Sequence, residues 1–376
     1  MKCDIIIPVW GQLGFTRDCV ESIIKNTAYP YRLILVDNAS DAQTMDYLEG
    51  LKGRDGLGVE IIRNDRNLGF VKAVNQGLKI SRAPYVCILN NDTVPAPGWL
   101  GRMVEFAESH KDVGLINPQC NGHGDMTIED YAKALEARKG RFMEMNQCQG
   151  FCMLVKREVI EKIGLLDESF GIGGFDDTDY SMRAHKAGYK SVAIGDAYVY
   201  HRLHGSFDKA GDREDWVKRN QKIYYDKWGK HLRVGIKFSQ AKTGELEISG
   251  VMKFAYGLAR EWSWVHIWIN SRVDKALLKK SIDDILKREG LPPHQNIRIN
   301  YFNLPAALFN LVILGKIAER MRRRMRDKRF DAVLSFNKLL SSSIGDGKID
   351  WEEKGREAAF SIKKARDARW MKRSLI

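Results

Sequence analysis

Cysteine is sparse in this sequence, and it is placed without a metal-binding pattern. The six cysteines at positions 3, 19, 87, 120, 148 and 152 form no CxxC pair, which argues against a structural zinc site. Cys3 and Cys87 sit inside apolar runs, so the thiols read as buried and reduced, as in a cytosolic protein. Long apolar runs are also missing. None reaches the ~18 residues that a membrane span needs. The nearest, Leu304 to Ala318, is broken by Pro305, Asn310 and Lys316. A strand pattern begins at Cys3 with no signal-peptide texture before it, so the expected location is the cytoplasm. Internal repeats and long low-complexity segments are absent, which leaves an ordinary globular chain.

What is present is length and positive charge. The chain has 376 residues, 44% of them hydrophobic and 29% charged, enough for two domains with full cores. Its formal net charge is +13, which favours anionic partners such as nucleotide diphosphates, nucleic acid or acidic membrane surfaces.

The first part of the chain alternates strand and helix patterns. Cys3 to Val9, Arg32 to Val36, Val59 to Arg63 and Tyr85 to Leu89 are short apolar runs. Between them, Thr16 to Asn26, a polar stretch ending near Lys52, and Gly69 to Ile80 read as helices. Such alternation implies a parallel sheet covered on both faces. Later, Gln149 to Lys156 is another apolar run. Asp176 to Gly188 and Lys218 to Trp228 read as helices, with strands at Ser191 to Ile194 and Tyr198 to His201. The texture then changes. Val265 to Asn270, Asn296 to Phe302 and Ala332 to Phe336 are strand patterns, separated by helices at Lys275 to Arg288 and Ala306 to Arg326. This pattern predicts a main domain over 1–238, a linker over 239–262, a small α/β domain over 263–340 and a charged helical tail over 341–376, with its helix at Asp350 to Met371.

Ligands of parallel sheets bind beyond the carboxyl ends of the strands. Polar residues there are the first candidates, each with a structural alternative. Asp37 and Asn38 follow the second strand; they can bind a nucleotide or simply cap a turn. The run Asn64 to Phe70 places Gly69 at a helix start, with Asn67 before it and Asn75 after; a helix N-terminus attracts anions, but Asn-Gly turns are common. Asn90, Asn91 and Asp92 follow the fourth strand, and a carboxylate there can hold a hard divalent cation. Asp176, Asp177 and Asp179 crowd one helix start. They suit the helix dipole, yet their mutual repulsion can lift one carboxyl toward general-base duty. His201 can complete a metal site with Asp92, although a lone histidine is more often a packing residue.

Together these segments resemble family 2 glycosyltransferases of GT-A fold, in particular the rhamnosyltransferase-like branch. The resemblance covers roughly residues 3 to 230. Its markers stand in order: Ile-Pro-Val-Trp, Val-Asp-Asn-Ala-Ser, Asn-Leu-Gly-Phe, Leu-Asn-Asn-Asp-Thr-Val-Pro, Gln-Gly-Phe-Cys-Met-Leu-Val-Lys-Arg, Phe-Asp-Asp-Thr-Asp-Tyr and His-Arg-Leu-His-Gly-Ser. It implies a GT-A fold, a mainly parallel sheet flanked by helices, with the small α/β domain and helical tail added. It also implies an inverting, divalent-metal-dependent transfer (Mn²⁺ or Mg²⁺) from a nucleotide-diphosphate sugar to an acceptor hydroxyl, in the assembly of a polysaccharide or cell-surface glycan. Asp177 would be the catalytic base and Asp176 its neighbour. Pro8, Val9, Asp37, Asn38, Asn67, Gly69, Asn75, Asn90 and Asn91 would lie on the donor side, with Asp37 against the nucleotide base. Asp92 and His201 would hold the metal, Asn90 standing where the family carries its first aspartate. Gly150 and His204 would lie on the acceptor side, toward a glycan or lipid-linked acceptor. A sugar nucleotidyltransferase is the rival enzyme, but residues 8 to 17 lack its glycine-rich loop followed by arginine. A non-catalytic sugar-nucleotide-binding protein is the rival outside enzymology.

The stretch Lys316 to Arg329 carries eight basic and two acidic residues in a helical pattern. It reads either as a solvated amphipathic face or as a patch for an anionic membrane or lipid-diphosphate acceptor. No nucleic-acid module accompanies it, so no nucleic acid is expected as a partner. Trp262, Trp264 and Trp268 read as core.

Overall fold

The computed structural model describes residues 2–202, 213–240, 245–322, 328–337 and 349–373. It divides into two compact units, Met1–Gly229 and Lys230–Ile376. The main-domain boundary expected at 238 therefore moves to 229.

In the first unit the described strands are β1 (Cys3–Val9), β2 (Tyr31–Asp37), β3 (Val59–Arg63), β4 (Tyr85–Leu89), β5 (Thr93–Pro95), β6 (Val113–Gln119), β7 (Phe142–Met145), β8 (Cys152–Lys156) and β9 (Lys190–His201). The helices are α1 (Leu13–Asn26), α2 (Ala42–Gly50), α3 (Phe70–Ile80), α4 (Trp99–Ser109), α5 (Ile128–Leu135), α6 (Arg157–Ile163), α7 (Asp176–Lys186) and α8 (Arg213–Trp228). The sheet order is β3-β2-β1-β4-β8-β6-β9-β5, with β7 beside β9. From β3 to β4 all pairings are parallel. β8 then runs antiparallel to both β4 and β6. The mainly parallel, helix-flanked sheet expected of a GT-A fold is thus present. Ser191 to Ile194 and Tyr198 to His201 are not two strands but the two ends of the single strand β9.

The strands are apolar without interruption because both faces are covered. Ile5, Ile7, Leu33 and Leu35 pack on one side with Cys19, Val20 and Trp99. Ile6, Ile34 and Val36 point the other way, onto Val71, Val74 and Leu78 of α3. All six cysteines are free, and all but the half-buried Cys120 are buried. Burial pushes the Cys19 thiol up to about 12.

Among the described residues the second unit holds four parallel strands, β10 (Arg233–Gln240), β11 (Trp264–Ser271), β12 (Ile297–Phe302) and β13 (Ala332–Ser335), in the order β12-β11-β10-β13. Its helices are α9 (Glu245–Arg260), α10 (Lys275–Arg288), α11 (Ala306–Met321) and α12 (Trp351–Arg373). Two expectations are corrected here. The segment taken for a linker over 239–262 contains α9, whose residues Ile248, Val251, Phe254 and Leu258 are core. The charged tail is also part of the fold. Trp351 and Ala359 of α12 join that same core, and Glu352 bonds Arg260 of α9 at 2.8 Å. Trp262 and Trp268 are buried, as expected, whereas Trp264 is only half-buried. Among the described residues no helix is long and apolar enough to cross a membrane.

Candidate active site

The parallel strand ends are in register, Val9 beside Asp37 and Asp37 beside Arg63. Asp37 is buried at 1% exposure, so its charge needs partners. Its Oδ1 accepts the Ser40 N–H at 2.9 Å, and its Oδ2 pairs with the Arg63 guanidinium. Arg63 also donates to the Ser40 carbonyl at 3.0 Å. Ser40 Oγ accepts the Gly11 N–H at 2.8 Å, which ties this turn to the loop after Pro8 and Val9.

The asparagines divide into different jobs. Asn38 accepts from Asn64 at 2.9 Å and donates to the Gly69 carbonyl at 3.4 Å, so it shapes the 64–69 loop. Asn67 is exposed and accepts the Gly69 N–H at 2.9 Å. Gly69 has φ +86° and ψ 165°, a conformation only glycine adopts readily. A Cβ there would lie 2.9 Å from the Gly171 carbonyl oxygen. That carbonyl accepts the Val71 N–H at 3.2 Å, so the start of α3 already has an intramolecular partner. Asn75, expected on the donor side, is instead a brace. It is buried and bonds Leu166 in both directions at 3.0 Å, and Glu168 at 3.2 Å. Asn91 is buried too and donates to Thr16 Oγ1 of α1 at 3.0 Å.

Asp92 and His201 are brought together by the antiparallel pairing of β5 with β9, in which Thr93 lies opposite His201. His201 Nε2 stands 3.3 Å from Asp92 Oδ1, and Asp92 is 5% exposed. The imidazole stacks on the Phe151 ring, centroids 5.2 Å apart and planes 17° apart. Phe151 in turn accepts the Asn90 N–H at 2.8 Å through its carbonyl. The Asn90 side-chain oxygen is buried without a hydrogen-bond partner among the described residues. A buried amide oxygen left unsatisfied is costly, and a hard cation is one group that would satisfy it. A carboxylate and an amide oxygen are donors that suit Mn²⁺ or Mg²⁺, and imidazole is a common ligand of transition metals. Among the described residues no group of three or more His, Cys, Asp or Glu side chains is placed to hold a metal.

The acids of α7 are reached through the residue before Phe151. The Gly150 N–H donates to Asp177 Oδ2 at 3.0 Å. Asp177 Oδ1 is more heavily loaded, accepting from the Thr178 N–H at 2.7 Å, Thr178 Oγ1 at 3.1 Å and Gln147 at 3.3 Å. Asp176 is buried and accepts the Gly174 N–H at 2.6 Å. Burial, then the neighbouring Asp177 charge, raises the Asp176 carboxyl to about 7. Burial also raises Asp177, but its four donors oppose the rise. The pair therefore titrates as a unit, with the proton favoured on Asp176 and the charge on Asp177. Asp179, the third acid, is fully buried and structural. It bonds Arg183 at 2.9 Å, Lys227 at 2.8 Å and the Trp228 indole at 2.8 Å.

Phe151 and Gln147 were not singled out in the sequence. They reach the site because β8 runs against β4: Leu89, the last residue of β4, pairs with Cys152, the first of β8. Asn117 fixes that loop by accepting the Gln149 N–H at 2.7 Å and donating to the Gln149 carbonyl at 2.9 Å. His204 lies outside the described residues.

Residues 4–164 match the profile of the family described as Glycosyl transferase family 2. The match lies wholly within the first unit. Glycosyltransferase GlyG of Streptococcus pneumoniae is 21% identical over 254 residues, which is 62% of this chain and 82% of that protein. An uncharacterized protein of Sinorhizobium fredii, y4gI, is 28% identical over 250 residues. That match covers 60% of this chain but only 27% of the rhizobial protein, so the chain spans about a quarter of that relative's length. Among solved structures, a mannosyltransferase from Pyrobaculum calidifontis in complex with GDP-Man and Mn²⁺ is 15% identical with a TM-score of 0.48, covering 86% of this chain and 82% of that one.

Proposed function

We propose that this protein transfers a sugar from a nucleotide-diphosphate sugar to an acceptor hydroxyl, with inversion and with a divalent cation. The observation that carries the reading is the single loop that joins the two halves of the site. Phe151 backs the Asp92–His201 pair, and the adjacent Gly150 holds Asp177. Asp92, His201 and the free oxygen of Asn90 are the residues that would hold Mn²⁺ or Mg²⁺. The bound cation supplies charge neutralisation for the departing diphosphate.

The chain's own residues account for the rest. Asp177 takes the proton of the acceptor hydroxyl, through Oδ2, the oxygen with the single N–H partner. The acceptor oxygen forms its bond to the anomeric carbon as the bond to the diphosphate breaks, and the electron pair leaves on the diphosphate. Asp176 holds its own proton, so that Asp177 stays ionised and free to accept one. Asp37, Asn38 and the 64–69 loop line the donor side. The acceptor class implied by the family resemblance is a glycan or a lipid-linked hydroxyl in cell-surface glycan assembly, met in the cytoplasm or at the inner face of the membrane.

The test is a nucleotide-sugar panel with Mn²⁺ or Mg²⁺ on wild type and Asp177→Asn. The amide keeps the shape but cannot take a proton, so transfer should fall about 10²–10⁴-fold, with donor binding retained. Near-normal turnover in the variant would remove Asp177 from its role. Pyrophosphate release would point to a nucleotidyltransferase, and binding without turnover to a non-catalytic protein.

A further inference from the structure

The second unit contains a cationic cavity of its own, of about 470 Å³. That volume is within the range of small-molecule sites, ~300–1,000 Å³. Strand alternation explains where it lies. On β10 and β11, Val234, Ile236, Val265 and Ile267 face the apolar core. Arg233, Trp264, His266 and Trp268 alternate with them and face the cavity. On β12, Arg298 stands beside His266 in register, and Asn300 beside Trp268. Helix α11 packs beside the cavity, with Phe309 and Ile313 against Trp268. Its last turns bring Lys316, Glu319 and Arg320 to the cavity wall, together with Lys328 and Phe330.

Five cations line this space against one carboxylate, that of Glu319. Cations in the last turns of a helix offset its dipole, which accounts for Lys316 and Arg320. It does not account for Arg298 or Arg233, which project from strands. Arg320 is fixed in place: it donates to the Lys328 carbonyl at 2.9 Å, reaches His266 Nε2 at 3.3 Å, and lies 4.7 Å from the Phe330 ring centroid. Arg298 is exposed, and no ion pair among the described residues uses Arg298, Lys316, Arg320 or Lys328. The positive field is felt by His266, whose imidazole is lowered to about 4 by burial and then by Arg320, Arg298, Arg233 and Lys316. The faces of Trp264 and Phe330 are occupied by Arg233 and Arg320, which leaves cations rather than open rings as the recognising groups.

We propose that this cavity binds a phosphate-bearing ligand, with a pyrophosphate or equivalent dianion held by Arg298, Arg320 and Lys316. A lone carboxylate would leave most of the charge unmatched, whereas a diphosphate carries enough to balance it, and guanidinium groups suit its oxygens. The site is independent of the first unit and stands whether or not that unit transfers a sugar.

The test is calorimetric titration of the full chain with inorganic pyrophosphate in the presence of EDTA, which disables a metal-dependent donor site. Arg298→Gln is the decisive variant, because this exposed side chain holds no described partner and its loss leaves the fold intact. Saturable binding that weakens about 10-fold or more in Arg298→Gln, and is unchanged in Asp92→Asn, is the expected result; tenfold corresponds to about 1.4 kcal/mol. Capture by phosphatidic acid vesicles, displaced by pyrophosphate, would support the same site with a lipid headgroup as the phosphate source. The proposal is overturned by absent or non-saturable heat, by equal affinity in Arg298→Gln, or by an affinity loss in Asp92→Asn instead. Vesicle capture that depends on Arg298 while pyrophosphate gives no heat would overturn it in favour of a membrane surface.

Discussion

Replacing Asp176 by asparagine separates the two acids of α7 by their energetics. The Asp176 carboxyl rises from 3.8 to about 7 in the folded chain because burial penalises its charge and Asp177 repels it. That rise is equivalent to at most ~4 kcal/mol, less because the two acids share the proton. Below about 3.8 the group is protonated whether the chain is folded or unfolded. Between 3.8 and 7 the folded chain keeps a proton that the unfolded chain has released, so stability falls steadily across that interval and levels off once the folded chain has also lost the proton, above about 7. An asparagine keeps the acceptor for the Gly174 N–H, now at 2.6 Å, and has no charge to bury. The variant should therefore be more stable than wild type at pH 8.5, by up to a few kcal/mol, and nearly equal to it only near pH 4, close to the unfolded value of 3.8. Urea unfolding followed by circular dichroism at both pH values reads this, with the transition of the first unit compared between the two proteins. Transfer should survive within about tenfold, since the amide is as neutral as the protonated carboxyl it replaces and leaves Asp177 as the base. The same pH dependence of stability in both proteins would refute the burial argument. A transfer loss above about 100-fold would mean that Asp176 is the base.

Other substitutions probe the remaining parts. Asp92→Asn should weaken Mn²⁺-dependent donor binding strongly, and His201→Ala more mildly; calorimetry with and without chelator measures both, and unchanged metal dependence in Asp92→Asn would reassign the pair. Asp179→Ala should unfold the first unit more easily by ~3–5 kcal/mol, because Arg183 and Lys227 are left without their buried partner. A variant that remains folded should keep its metal dependence. Gly69→Ala should cost at least ~1–3 kcal/mol for its backbone conformation alone, with the contact to Gly171 adding to it; a melting temperature equal to wild type would show that the loop readjusts freely.

The strand positions were legible because each run is apolar on both faces, and polar residues follow immediately where the strands end. The pairing of Asp92 with His201 is weak in the residues alone, since nothing local connects positions 109 apart until β5 meets β9. The roles of the asparagines were not legible either. Asn75 and Asn90 both sit beside strand-end motifs, but only the tertiary structure commits Asn75 to Leu166 and leaves the Asn90 oxygen open. The missed helix α9 has an almost continuous apolar surface with Gly250 and Gly257 inside it, so it offers neither a polar face nor strong helix propensity. Its identity comes from being enclosed by a sheet on one side and α12 on another.

The reversal at β8 has a consequence for how such a chain can vary. The two anchors of the site on either side of it, Asn90 after β4 and Phe151 before β8, are set by the pairing of Leu89 with Cys152. Neither depends on the length of chain running between them. The hairpin-like excursion from Cys120 to Arg141, which carries α5 at the surface, could be exchanged for a longer or shorter one while β6 and β8 stay paired. Insertion and deletion can thus be absorbed in that excursion, with the geometry around Asn90 and Phe151 held by the strand pairing alone.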